Sequence, residues 1–289
     1  MFIIIGGDST IGEATARYLR ERAHTVVATT RRQDRVGPMR PFLDLSSPLN
    51  AWTPPQGAGA CVCAAVARIA ACETDPAGSA FVNVDQTLVA IDRLLESGAS
   101  VVFLSSDKVF DGSRAVVPPD APVCPATAYG RQKARVEAAL RERMAAGLPA
   151  AILRLAKVIA PDTALLQDWV VALRNRKPVR AFHDMVAAPV PVALVARAVA
   201  ALLDDRAHGI FQLSGPRDVP YSALALELAR RLGAQESLVC PESVSALGLP
   251  TGATSKHTTL DSSLLADRYG LHVPDAFDVL ADAITTRFI

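Results

Sequence analysis

The chain has 289 residues and a formal net charge of +1. Half of its residues are hydrophobic and 20% are charged, so a sizeable core is expected and no broad basic surface for nucleic acid is available. No apolar stretch approaches the ~20 residues of a membrane span, and the start MFIIIGG lacks the basic region of a secretory signal, so a cytoplasmic location is expected.

Strands and helices alternate through the first 160 residues. Apolar strands are expected at 2–5, 25–29, 42–45, 60–64, 101–105 and 151–155. Helices are expected at 13–22, within 75–97, and at 127–146. Strands apolar on both faces and separated by helices indicate an α/β fold with a doubly wound parallel sheet. Such sheets bind ligands at the carboxyl ends of their strands, where Gly6, Thr30, Ser106 and Arg154 fall. Beyond 160 the pattern loosens, with helices expected at 169–176, 192–203, 221–232 and 276–288, a strand at 210–213 and a loop at 250–256. Residues 1–158 with about 187–213 are expected to form the nucleotide-binding domain, and about 159–186 with 214–289 a smaller substrate lobe.

Gly6-Gly7-Asp8-Ser9-Thr10-Ile11-Gly12 joins the first strand to the first helix. A tight glycine-bearing turn there lets backbone N–H groups and the helix N-terminus meet a pyrophosphate, although Ser9 stands where a glycine is usual. The second strand ends in Thr29-Thr30-Arg31-Arg32, with no acid before Asp34. Arginines suit the 2′-phosphate of NADP, which favours NADP over NAD; a solvated basic turn has the same composition. Asp44 and Leu45, near the third strand, are candidates for the adenine end.

Tyr129-Gly130-Arg131-Gln132-Lys133 places a phenol and an ammonium one turn apart on a helix. A nearby cation favours the phenolate, which moves the group toward useful acid–base chemistry. With Ser106 at a strand end upstream, the pattern suggests a carbonyl–alcohol redox site. Asp107 and Asp111 read as turn formers, and His183-Asp184 as a loop near the substrate with a structural aspartate. The five cysteines, Cys61, Cys63, Cys72, Cys124 and Cys240, follow no zinc pattern and are expected to be reduced thiols; no metal is expected.

These pieces resemble the extended short-chain dehydrogenase/reductases, most closely the dTDP-4-dehydrorhamnose reductase group. The resemblance rests on Gly6 to Gly12, Cys63-Ala64-Ala65-Val66-Ala67, Phe81-Val82-Asn83 and the block Phe103-Leu104-Ser105-Ser106-Asp107-Lys108-Val109-Phe110-Asp111-Gly112. Tyr129 to Lys133, Ile152-Leu153-Arg154 and Gly209-Ile210-Phe211-Gln212-Leu213-Ser214-Gly215 also fit. The resemblance implies a Rossmann-type fold, an NADP or NAD cofactor and a nucleotide-sugar substrate. It implies Tyr129 as proton donor, Lys133 on the nicotinamide ribose and lowering the phenol pKa, and Ser106 on the reacting oxygen. It implies that Ala64, Ala65, Val66, Asn83 and Ser105 serve the cofactor, and it admits a homodimer.

Two departures stand out. Lys108 occupies a place where the family usually has tyrosine, and Lys157 one where it has tryptophan. Two ammonium groups suit an added negative charge on the sugar, with Asp107 beside them; lysines pointing to solvent are the other reading. The alternatives to a reductase are an epimerase using the same pair, and a non-catalytic binding subunit. Lys108 after Asp107 speaks against a dehydratase, whose pattern is Thr-Asp-Glu.

Overall fold

A computed structural model describes residues 1–49, 51–55, 59–244 and 254–288, with the backbone alone at 286–288. The first half contains β1 (Phe2–Ile5), α1 (Thr10–Glu21), β2 (Val26–Ala28), β3 (Gly59–Val62), α2 (Ile69–Thr74) and α3 (Pro76–Ala80). A π-helical turn (Phe81–Gln86) runs into α4 (Thr87–Glu96), followed by β4 (Ser100–Ser106), α5 (Ala128–Ala145) and β5 (Ala150–Leu155). The second half contains β6 (Val158–Ile159), α6 (Ala164–Arg174), β7 (Val179–Phe182), β8 (Val186–Ala187), β9 (Val190–Pro191) and α7 (Val192–Asp204). It ends with β10 (Gly209–Leu213), β11 (Val219–Pro220), α8 (Tyr221–Arg231), β12 (Val239–Glu242), α9 (Ser263–Tyr269) and α10 (Ala276–Phe288).

Six strands pair in parallel in the order β10-β5-β4-β3-β1-β2. The chain runs outward from β1 to β2, then returns to the other side of β1 as β3. The order therefore reverses between β1 and β3, and a crevice opens there beyond the carboxyl ends. Alternation along each strand decides which helices it meets. Phe2 and Ile4 share a core with Leu19 of α1 and Val195 and Val199 of α7. Ile3 and Ile5 share the opposite core with Ile91 and Leu94 of α4 and Val136 and Leu140 of α5. Helices thus cover both faces, a Rossmann-type doubly wound sheet.

A separate core joins Trp169 and Leu173 of α6, Val179 of β7, Leu228 of α8, Val239 of β12 and Leu280 of α10. In it β7 and β12 pair in parallel, while β8 and β11 pair antiparallel beside the sheet's carboxyl edge.

Two expectations shift. The strand expected at 42–45 is reduced to a bridge between Thr30 and Phe42. Pro41 has no N–H to extend the ladder, and the Asp44 carboxylate accepts from Ser46 N at 2.9 Å, turning the chain away. The helix expected at 169–176 starts earlier and ends at Arg174. Of the expected loop at 250–256, residues 250–253 lie outside the described residues.

Candidate active site

The glycine loop lies at the reversal point. Gly6 has φ +85, and a side chain there would meet the backbone of Ala64 at 2.7 Å, so only glycine lets β1 turn against the end of β3. Ser9 takes the helix cap: its hydroxyl accepts from Gly12 N at 3.1 Å and donates to Gly6 O at 2.7 Å. With φ −77 the position needs no glycine, which explains the departure from the usual pattern.

A cleft of about 730 Å³ runs from this loop across the ends of β3, β4 and β5. Gly6, Ser9, Thr10, Ile11, Arg31, Asp44 and Leu45 line one end, and Ala64, Ala65, Val66 and Ser105 its floor. Ser106, Asp107, Lys108, Tyr129, Lys133 and Lys157 line the other end.

The Thr127 hydroxyl caps α5 by accepting from Gly130 N at 3.1 Å. A Cβ on Gly130 would lie 2.0 Å from Lys108 O, so glycine is what lets α5 press on the turn after β4. That contact brings Tyr129 and Lys133 to Ser106. The Lys133 ammonium is buried, donates to Leu104 O at 2.8 Å, and lies 4.5 Å from the Phe103 ring centre and 5.8 Å from that of Tyr129. Burial pulls its pKa down from 10.5 to about 8, against the pull of Cys63 and Glu137.

Burial pushes the Tyr129 phenol upward, the Asp107 charge adds to the rise, and the Ser106 hydroxyl opposes it. The expected lowering of the phenol by Lys133 is therefore not what this pocket produces. The tyrosine is held neutral, the form that carries a proton to give. Ser106 donates to Asp107 Oδ1 at 2.9 Å and accepts from Lys108 N at 3.2 Å.

The model of the RmlD substrate binding domain family matches residues 1–287. The chain belongs to that family. Its fold is shared by a dTDP-4-dehydrorhamnose reductase of Clostridium acetobutylicum at 21% identity and TM-score 0.84, over 100% of this chain and 99% of the other. A dTDP-4-dehydrorhamnose reductase of Bacillus anthracis in complex with NADP shares it at 16% identity and TM-score 0.83, over 99% of both chains. A Thermus thermophilus UDP-glucose 4-epimerase in complex with NAD shares it at 19% identity and TM-score 0.78, over 99% of both. No curated protein matches the chain in sequence.

Within this RmlD-family chain, three of the expected cofactor residues stand back from the cleft wall. Gly12 lies beneath the loop on the Ser9 cap. Arg32 turns outward and pairs with Asp34 at 3.3 Å. Asn83 is buried in the π-helical turn, where it accepts from Val66 N at 2.7 Å and donates to Val66 O at 3.0 Å and Gln132 Oε1 at 2.7 Å. It positions the wall that Val66 forms and touches no ligand space itself. Ser105 lines the cleft, but its hydroxyl is committed to Glu137 Oε1 at 2.6 Å.

Lys108 and Lys157 both face the cleft. Lys108 pairs with Asp107 at 2.9 Å and donates to Ser255 Oγ at 3.1 Å. Lys157 lines the cleft while still exposed to solvent, and partial desolvation by the cleft walls together with the neighbouring Lys108 lowers its pKa, against the pull of Asp107. Arg154, although at a carboxyl end, is fully buried; it is doubly bonded to Glu137 and lies outside the cleft.

Sequence reasoning missed Asp8, Met185, Tyr221 and Thr258, all of which line the cleft. The Tyr221 phenol is pushed up to about 12, first by burial and then by Asp107. Asp184 accepts from the Ser243 hydroxyl and from Val244 N at 2.9 Å, so the neighbour of Met185 is structural, as expected. Among the described residues, no helix is long and apolar enough to cross a membrane.

Proposed function

We propose that the protein reduces a keto group on a nucleotide-activated sugar with NAD(P)H. The observation that carries this reading is a single cleft holding the Gly6-to-Gly12 loop at one end and Ser106, Tyr129 and Lys133 at the other. The residues present suit the cofactor. The loop and the N-terminus of α1 would hold the pyrophosphate, Asp44 and Leu45 the adenine, and Lys133 the nicotinamide ribose. When bound, the reduced nicotinamide supplies hydride to the carbonyl carbon.

Tyr129 gives its proton to the carbonyl oxygen as the alcohol forms, and Ser106 holds that oxygen through its hydroxyl. Lys133 lies close enough to stabilise the phenolate left behind. Residues 1–158 with about 187–213 form the cofactor domain on this reading. About 159–186 with the described residues after 214 form the substrate lobe on this reading, except that Leu265 of α9 packs in the core of Phe2 and Ile4; Met185, Tyr221 and Thr258 come to the cleft from these segments.

The finer part of the proposal is an acidic sugar. Asp107 offsets the charge of Lys108, which leaves Lys157 to meet a carboxylate or phosphate. The test is oxidation of NADH and NADPH against a panel of neutral and acidic nucleotide 4-keto sugars. Stoichiometric consumption supports a reductase. Cofactor that stays bound and is not consumed, with the sugar changed in configuration, shows an epimerase instead.

A further inference from the structure

We propose that Asp8 reads the adenosine ribose of the cofactor and sets the site for NAD(H) over NADP(H). The inference rests on the dinucleotide reading above. The end of β2 offers no acid for the ribose hydroxyls, but the glycine loop supplies one. Gly7 N donates to Thr29 O at 2.9 Å, which fastens the loop to the end of β2 and sets Asp8 above it. There the buried Thr30 hydroxyl donates to Asp8 Oδ2. Thr30 Oγ1 also accepts from Arg32 N at 3.0 Å, which fixes its own hydrogen toward the carboxylate.

The Asp8 side chain is 18% exposed and lines the same end of the cleft as Arg31 and Asp44. Arg35 reaches Asp8 Oδ1 at 3.4 Å from a more exposed position, which neutralises it only in part. Two carboxylate oxygens retain lone pairs after these contacts, and vicinal ribose hydroxyls are two donors that match them. A 2′-phosphate brings negative charge and acceptors alone. It would face Asp8 and Asp44 with Arg31 as the one cleft-lining arginine of the pair, since Arg32 is turned to Asp34. Like charges in such an arrangement oppose binding.

Direct titration of the purified chain with NADH and NADPH, followed by calorimetry, tests this without catalysis. The wild type is expected to bind NADH at least about tenfold tighter than NADPH. The near-isosteric Asp8→Asn is expected to tighten NADPH by about tenfold while leaving NADH equal or weaker. A group that merely shapes the loop would move both cofactors together. Equal or tighter NADPH binding by the wild type, or equal changes for both in Asp8→Asn, overturns the proposal while leaving the dinucleotide reading standing. Binding of neither cofactor overturns both. The wild-type comparison holds should the variant fail to fold.

Discussion

Lys133 donates its ammonium hydrogen to Leu104 O at 2.8 Å, while its nitrogen lies 5.8 Å from the ring centre of Tyr129. The carbonyl of β4 therefore fixes the cation one helical turn from the phenol. The pair is a placed site, because the strand that holds the lysine also ends in Ser106.

Tyr129→Phe removes the proton donor and leaves the ring in place. Turnover is expected to fall by about 10²–10⁴-fold, with cofactor affinity changed little. Steady-state kinetics together with cofactor titration check both halves of the statement.

Burial places the Lys133 pKa at about 8 in the free protein, below its ordinary 10.5. The charged form is needed at the ribose and beside the phenolate, so kcat/KM for the cofactor is expected to fall as pH rises through about 8. Lys133→Met should lower the plateau and remove that limb. The stability effect has the opposite direction. The unfolded lysine keeps its proton to higher pH than the folded one, so this group penalises the folded state below about 8. The penalty is relieved as pH rises toward 10.5, a trend absent from the Lys133→Met melting series.

Arg154 and Glu137 form a buried pair at 2.7 Å that also engages Ser105, Gln212 and Pro119 O. Removing one partner strands a charge, so Glu137→Leu and Arg154→Met are each expected to cost about 3–5 kcal/mol in denaturant unfolding. The double variant should cost less than the sum of the two singles.

Asn83→Ala removes the acceptor of Val66 N and the donor to Gln132 Oε1, and leaves Val66 O with the Cys72 thiol alone. A rise in cofactor KM of about tenfold or more, with a smaller change in kcat, is expected from the loosened wall. A variant whose kcat fell while KM held would place Asn83 in the chemistry instead.

Lys157→Ala is expected to raise KM for an acidic nucleotide sugar and to leave a matched neutral one unchanged. Lys108→Ala should act less on that ratio, since Asp107 already offsets its charge. Parallel kinetics on the two sugars read the difference.

The parts of the site that are local in sequence were legible there. The glycine loop, Ser106 at the end of β4 and the Tyr129–Lys133 turn each depend on spacing within one element. Arg154 was legible in principle: it shares strand parity with Ala150 and Ile152, which pack into the core containing Val136 and Leu140 of α5. Period-two alternation thus points it at α5, where Glu137 waits, although an arginine at a carboxyl end invites a ligand role. Tyr221, Met185 and Thr258 were not legible. Tyr221 packs on the second core and its N–H holds Met185 O, while Thr258 is held by Asp218; all three come from distant segments, and no local pattern marks them. The direction of the Tyr129 shift depended on burial and on Asp107, and neither follows from the helix spacing alone.

The most direct test follows reduced-cofactor absorbance with nucleotide 4-keto sugars, using Tyr129→Phe in parallel. One equivalent of cofactor oxidised per sugar reduced, lost in the variant, is the expected result. Reduction that proceeds undiminished in Tyr129→Phe would contradict the account.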